Sequence, residues 1–335
     1  MRRLPLLLLG LASPCLAQAP DTGPAATDGG ALRFVGERNW RFELPDARWT
    51  PVGSGLSLAG HEFRAEVEGT RLSLDSDGDG KTDAAFEGKE PAYVLLRAAD
   101  GFAYAIRVVD RGGWQFQSSG YLQGKLDGTR VRFFDQDNDG LYGEPGADAV
   151  AVGSGRFAQA MSPVLRLGDR LVEVRVDGDK ATTAAFTGET GVLALEVQTR
   201  GKVLALRLRS RSGGLAFDLA KATGEVRLPV GTYTLVGGAI GLGENRVDLT
   251  TGRCKDVRVT ADGSAELELG GPLRGEFAYV RAGGELKFDP SKVWYYGRAG
   301  EEYRAWTPIG ASPSFTITEQ RSGTELAKTI FPGSC

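Results

Sequence analysis

The chain of 335 residues carries 40 Lys and Arg against 43 Asp and Glu, with one His and three Cys. A formal charge of -3 supplies no broad basic field, which argues against a nucleic-acid partner. So few cysteines rule out a disulfide-dense scaffold, and Gly, at 48 residues, is about twice its usual frequency without a collagen period.

The sequence begins MRRLPLLLLGLASPCLAQAP. Arg2 and Arg3 form a basic start, Leu4 to Leu11 an apolar run, and CLAQA a small-residue cleavage region, the three parts of a secretory signal peptide over residues 1–17. Cleavage is expected after Ala17. A lipid anchor on Cys15 is disfavoured because Pro14 stands where a small residue is needed. The apolar run is shorter than the roughly 20 residues that span a bilayer, and no later segment is long and apolar enough. The mature chain is therefore expected to be secreted, periplasmic or at the cell surface. Residues 18–31, rich in Pro, Gly, Ala and Thr, read as a flexible linker.

From there the dominant pattern is alternation. In HEFRAEVEG, Phe63, Ala65 and Val67 share one side while Arg64, Glu66 and Glu68 share the other, the period of a half-buried strand. AYAIRVVD, KVLALRLRS, EVRLPVGTYTL, AELELG and SFTITEQ read the same way. Asp-Gly pairs at 100–101, 127–128, 177–178 and 262–263 supply hairpin turns. GLAFDLAKATG from Gly214 is the single helix candidate. The expected fold is mainly β: hairpins carrying acidic loops, then sandwich modules. The expected divisions are a β-rich domain over 32–165, a sandwich-like domain over 166–253 and an immunoglobulin-like domain over 254–335, the last from its count of short strands. EGTRLSLDSDGDG from Glu68 aligns with DGTRVRFFDQDNDG from Asp127, and KTDAAFEG from Lys81 returns as ATTAAFTG from Ala181. This imperfect repeat describes three hairpin units, of which the third has lost its acidic loop.

The acidic loops carry the chemistry. Asp75, Asp77 and Asp79 alternate, then Gly80 permits a sharp turn, Lys81 offers a backbone carbonyl and Asp83 closes at the ninth position. A hard cation such as Ca²⁺ takes about six to eight oxygens, which an alternating Asp series supplies by curling round the ion. The first six positions fit an EF-hand, but the twelfth, where a bidentate Glu is required, is Phe86, and the flanks read as strands. In the second loop Asp135, Asp137, Asp139 and Gly140 match, Leu141 offers a carbonyl, and Gly143 takes the ninth position. Closure there falls to Glu144 or Asp148. Magnesium suits such loops less because it retains several waters, and zinc favours His and Cys, of which this chain has one His.

DSDGDGKTD resembles the D-x-D-x-D-G-x-x-D loops of FG-GAP and VCBS repeats, and also the thrombospondin calcium repeats. That resemblance implies calcium ligation by Asp75, Asp77, Asp79 and Asp83. Two copies are too few for a propeller. RLPVGTYTL resembles the last strands of secreted β-sandwiches of the carboxypeptidase-regulatory and Cna-B type.

No catalytic constellation accompanies these loops, and the chain is expected not to be an enzyme. His61 has no second His to form a metalloprotease site, and no G-x-S-x-G pairs with it. GDGKT lacks the upstream Gly of a phosphate loop, and GLGENR lacks a third Gly. Cys254 and Cys335 outlast the leader and are expected to pair in an oxidising compartment. The expected function is that of an exported calcium-binding protein in a structural, adhesive or ligand-binding role, with a cell-surface protein or a polysaccharide as partner. The alternative is a secreted carbohydrate-active protein, using VWYYG from Val293 as a stacking platform, with calcium merely structural.

Overall fold

The computed structural model describes residues 29–307 and 314–330. They form strands and turns throughout, with no helix among the described residues. The signal peptide, residues 18–28 of the expected linker and Cys335 lie outside them. The last linker residues depart from expectation: Gly29–Ala31 is a strand, with Gly29 opposite Thr182 and Ala31 opposite Lys180. A Cβ at Gly30 would lie 2.6 Å from the Lys125 carbonyl oxygen, so the close backbone approach there needs Gly and is not a sign of flexibility.

Three pairs of sheets bury three main cores. In the first pair, Gly55–Leu58, His61–Glu68, Arg71–Leu74 and Ala84–Glu87 form one sheet. Thr50–Pro51, Trp114–Ser118, Ala103–Asp110 and Ala92–Arg97 form the other. Leu56, Phe63, Leu72, Ile106 and Phe116 fill the space between them. Each such side chain removed from water contributes about 1.5–3 kcal/mol.

The second pair receives the chain before and after the first. Arg33–Gly36 pairs directly with Gly120–Leu126, Gly36 opposite Gly120, so the first sheet pair is inserted between two neighbouring strands. That sheet continues through Thr129–Phe134, Ala149–Val152 and Gln159–Ala160. Its partner sheet holds Gly29–Ala31, Lys180–Ala185, Arg170–Asp177 and Val164–Leu167. Val131 and Phe133 face this partner, while Phe134 packs with Phe42 and Tyr121 on the opposite side. With both faces covered, VRFF is a continuous apolar and cationic run without alternation.

In the third pair, Thr190–Gln198 lies between Gly224–Pro229 and Ser264–Gly270, parallel to the latter. The facing sheet includes Lys202–Ser210, Gly231–Leu242, Asn245–Thr250, Glu302–Thr307, Glu285–Tyr296 and Arg274–Ala282. Strand pairing joins the last linker residues 29–31 to 180–182, Val164–Leu167 itself straddles the expected boundary at 165, and 192–198 pairs with 264–270 across the boundary at 253.

Two local expectations are corrected. GLAFDLAKATG is not helical: Ala216–Asp218 is a short strand against Arg207–Arg209. The Asp218 carboxylate accepts the Leu206 and Ala220 amides, an alternative to helical hydrogen bonding that short polar side chains offer the backbone. Asp262-Gly263 is not a hairpin turn either. Val257–Val259 pairs with Gly231–Leu242 in one sheet and Ser264–Gly270 with Thr190–Gln198 in the other, so this pair crosses between sheets. Asp127-Gly128, by contrast, has φ of 48° and 75°, the left-handed pair of a tight hairpin turn.

Glu301 ties the third pair together. It is fully buried, and its carboxylate accepts the Gly270 amide at 2.6 Å, the Ala299 amide at 3.1 Å and the Tyr303 hydroxyl at 3.2 Å. Gly270 ends a strand of one sheet and Tyr303 lies in the other. Glu301→Ala would leave these donors unmatched and should lower stability by about 2–4 kcal/mol. A fall in urea midpoint without a change in slope is the expected result; an unchanged midpoint would contradict it.

Candidate metal centres

The two acidic loops occupy the same place in their hairpins. The first joins Arg71–Leu74 to Ala84–Glu87, with Leu74 opposite Ala84. The second joins Thr129–Phe134 to Ala149–Val152, with Phe134 opposite Ala149. The corresponding third hairpin, Arg170–Asp177 to Lys180–Ala185, closes with Asp177 opposite Lys180 and leaves no room for an acidic loop.

Both loops fold by one hydrogen-bond scheme. The first aspartate faces inward: Asp75 accepts the Gly78 amide at 2.7 Å and the Gly80 amide at 2.8 Å. Asp135 accepts the Asn138 amide at 2.6 Å and the Gly140 amide at 2.7 Å. The third aspartate then accepts the amide two residues on, Asp79 from Lys81 and Asp139 from Leu141, both at 2.8 Å. Left-handed backbone recurs at matched positions, φ 77° and 84° at Gly78 and Gly80, 67° and 91° at Asn138 and Gly140. Asn tolerates that region better than other side chains, so Asn138 can stand where the first loop has Gly.

Carboxylate oxygens of Asp75, Asp77 and Asp83 lie within 4.8 Å of one another, as do those of Asp135, Asp137 and Asp139. Each triad could hold a metal ion. Asp79 is outside the first triad. Its carboxylate binds the Lys81 ammonium at 3.1 Å, and the Lys81 amide, then that ammonium, hold its pKa below the usual value. Asp83 replaces it, while accepting the Ser76 amide at 2.8 Å.

In the second loop Asp148 does what Asp83 does in the first. It immediately precedes the return strand and accepts the amide after the first aspartate, that of Gln136, at 3.2 Å. Its other oxygen accepts the Glu144 amide at 2.9 Å. Burial raises the pKa of Glu144 first, then the charges of the neighbouring Asp139 and Asp137. Gly143, at the ninth position with φ 87°, packs on Val176 where a Cβ would come within 2.5 Å. A carboxylate therefore has no space there, and closure moves downstream.

The surroundings differ sharply. Asp77 and Asp83 are exposed, whereas Asp135 and Asp148 have no exposed surface. Burial pushes Asp135 up to about 7, opposed by hydrogen bonds from Tyr104, Gly140 and Asn138. Burial likewise raises Asp148 to about 8, opposed by the Glu144 and Gln136 amides. One oxygen of Asp137 is buried without any hydrogen-bond partner. At 4.8 Å, two ionised carboxylates repel by about 3.5 kcal/mol at an effective dielectric of about 20. A bound cation would reverse that sign and would satisfy the orphaned oxygen.

Sequence reading missed Tyr104 and Asn138. The Tyr104 hydroxyl, fully buried, donates to Asp135 at 2.6 Å. The Asn138 side chain accepts the Ser118 amide at 2.7 Å and donates to Thr50 Oγ1 at 2.9 Å. A Tyr on the inward side of AYAIRVVD is the available signal, since a buried hydroxyl demands an acceptor. His61 belongs to neither aspartate triad: it stacks on Phe102 with ring centres 4.3 Å apart and lies 3.6 Å from Asp100. Cys254 is half-buried and is a free thiol among the described residues, raised to about 11 chiefly by burial. Its expected partner, Cys335, lies outside them.

No protein-family model matches the chain, and neither a curated protein nor a solved structure does so.

The buried carboxyls predict a pH dependence for the cation-free chain. Asp135 and Asp148 hold their protons longer when folded, at about 7 and about 8, than when unfolded, near 3.9. The unfolded chain therefore binds fewer protons above about pH 4, and stability falls as pH rises towards about 8. Urea midpoints in chelator should decrease across that window, and a flat or rising profile would contradict it.

Proposed function

We propose that the chain is an exported calcium-binding β-protein in which each acidic loop holds one Ca²⁺ as a folding clasp. The observation that carries this reading is the shared hydrogen-bond scheme, which gathers Asp75, Asp77 and Asp83 in one loop and Asp135, Asp137 and Asp139 in the other. Lys81 and Leu141 contribute backbone carbonyls, and Asp148 and Glu144 complete the second site. Calcium is favoured over magnesium because these ligand sets are many, flexible and all oxygen. The role is structural, adhesive or ligand-binding, with a cell-surface protein or polysaccharide as partner. No helix among the described residues is long and apolar enough to cross a membrane.

A second reading, a carbohydrate-active protein with structural calcium, draws on Trp306. It is exposed and meets Tyr295 edge-on at 6.1 Å, the kind of ring surface on which a sugar stacks. Binding on a glycan array lost in Trp306→Ala would favour that reading; an array without signal would remove its support.

Titration calorimetry decides the first. Two calcium ions should bind per chain, with affinities near the roughly 10⁻⁴–10⁻³ M of extracellular modules or tighter. Magnesium should bind more weakly, and Asp77→Ala and Asp137→Ala should each abolish one site. Absence of calcium heat in the intact chain would reduce both loops to acidic turns.

A further inference from the structure

The two loops differ in what they touch. The first stays within its own sheet pair: Asp75 and Asp83 amides bond to the Arg64 and Leu74 carbonyls, and the Arg97 amide to Ser76. The second belongs by sequence to the second sheet pair but is embedded in the first. Its Asp139 carbonyl accepts the Ala59 amide at 2.7 Å, Asp135 accepts the Tyr104 hydroxyl, and Asn138 accepts the Ser118 amide. A Cβ at Gly140 would lie 2.6 Å from the Ala59 nitrogen, so loop and hairpin meet backbone to backbone. Tyr142 packs against the cores of both sheet pairs.

The inserted pair leaves and rejoins the second through adjacent strands, Gly36 opposite Gly120. There the Ser119 amide bonds to the Ala105 carbonyl, and the second loop extends the junction as a seam from Ser118 to Tyr104 and Ala59. The same aspartate that makes the seam, Asp135, is a member of the carboxylate triad, and the buried, unpartnered oxygen of Asp137 sits between its neighbours in that loop.

We infer that the cation of the second loop fastens the first sheet pair to the second, so that cation loss loosens the seam, whereas the cation of the first loop acts only within its own hairpin. This inference rests on the calcium reading above. With the second site empty, repulsion among Asp135, Asp137 and Asp139 spreads the loop and withdraws the acceptors for Ala59, Tyr104 and Ser118. With it filled, the loop is held in the shape those donors require.

Amide hydrogen exchange on the intact chain, with calcium alone as the probe, tests this. At free calcium about 100 times the dissociation constant, an opening that releases one ion becomes about a hundredfold rarer. Peptides covering Ala59 and Ser118 should therefore exchange up to about a hundredfold more slowly with calcium than with chelator. Asp77→Asn should preserve that response at the seam, and Asp137→Asn should lose it while Gly78 and Gly80 still respond. The wild-type comparison needs no variant to fold. Calorimetry showing two bound ions with no calcium response at Ala59 and Ser118 would overturn the inference and leave the calcium reading intact. No bound ion at the second loop would overturn both.

Discussion

The mutual repulsion of three carboxylates in the second loop is the constraint on which this structure turns. Asp135 has no exposed surface, and carboxylate oxygens of Asp135, Asp137 and Asp139 lie within 4.8 Å of one another. Hydrogen bonds from Tyr104, Asn138 and Gly140 offset part of the cost of burying Asp135, but none reaches the inner oxygen of Asp137. Neutralisation by proton or by cation are the two physical ways out. The first works in acid, and the second is what an all-oxygen, multidentate loop suits.

The fold is arranged around that need. Two antiparallel strands hold the ends of each loop in fixed register, so the first aspartate enters at the end of one strand and the closing aspartate returns at the start of the next. Asp83 and Asp148 share that last position although the loops differ in length. The longer second loop runs over Val176 in its extra residues at Gly143, and it meets the inserted sheet pair through the positions it shares with the first, Asp135, Asn138 and Asp139. Local charge chemistry and the joining of two sheet pairs thus fall on the same side chains.

Much of this was legible in the residues themselves. HEFRAEVEG alternates because His61–Glu68 buries Phe63 and Ala65 on one face, although Val67 is exposed; AYAIRVVD, KVLALRLRS and AELELG are strands, whereas EVRLPVGTYTL divides at Val230 into strands of two different sheets. The triad of Asp135, Asp137 and Asp139 follows from spacing, because alternate side chains of a curling loop converge, and Asp83 was expected to close the first loop. What was not legible depends on distant partners. Thr129–Phe134 does not alternate because both faces are covered, and Ala216–Asp218 is a strand because Lys202–Ser210 lies beside it. Spacing put Asp79 in the first triad, but the neighbouring Lys81 claims its carboxylate. Tyr104 reaches Asp135 across 31 residues of sequence, a contact that no local pattern announces.

The central claim is that the acidic loops are cation clasps and not acidic turns, and thermal unfolding of the whole chain at neutral pH, in calcium and in chelator, tests it most directly. Saturation of one site at about 100 times its dissociation constant adds about 2.7 kcal/mol. Calcium should therefore raise the melting temperature by several degrees, and Asp137→Asn should forfeit a large part of that gain. Superimposable melting curves with and without calcium would contradict the account.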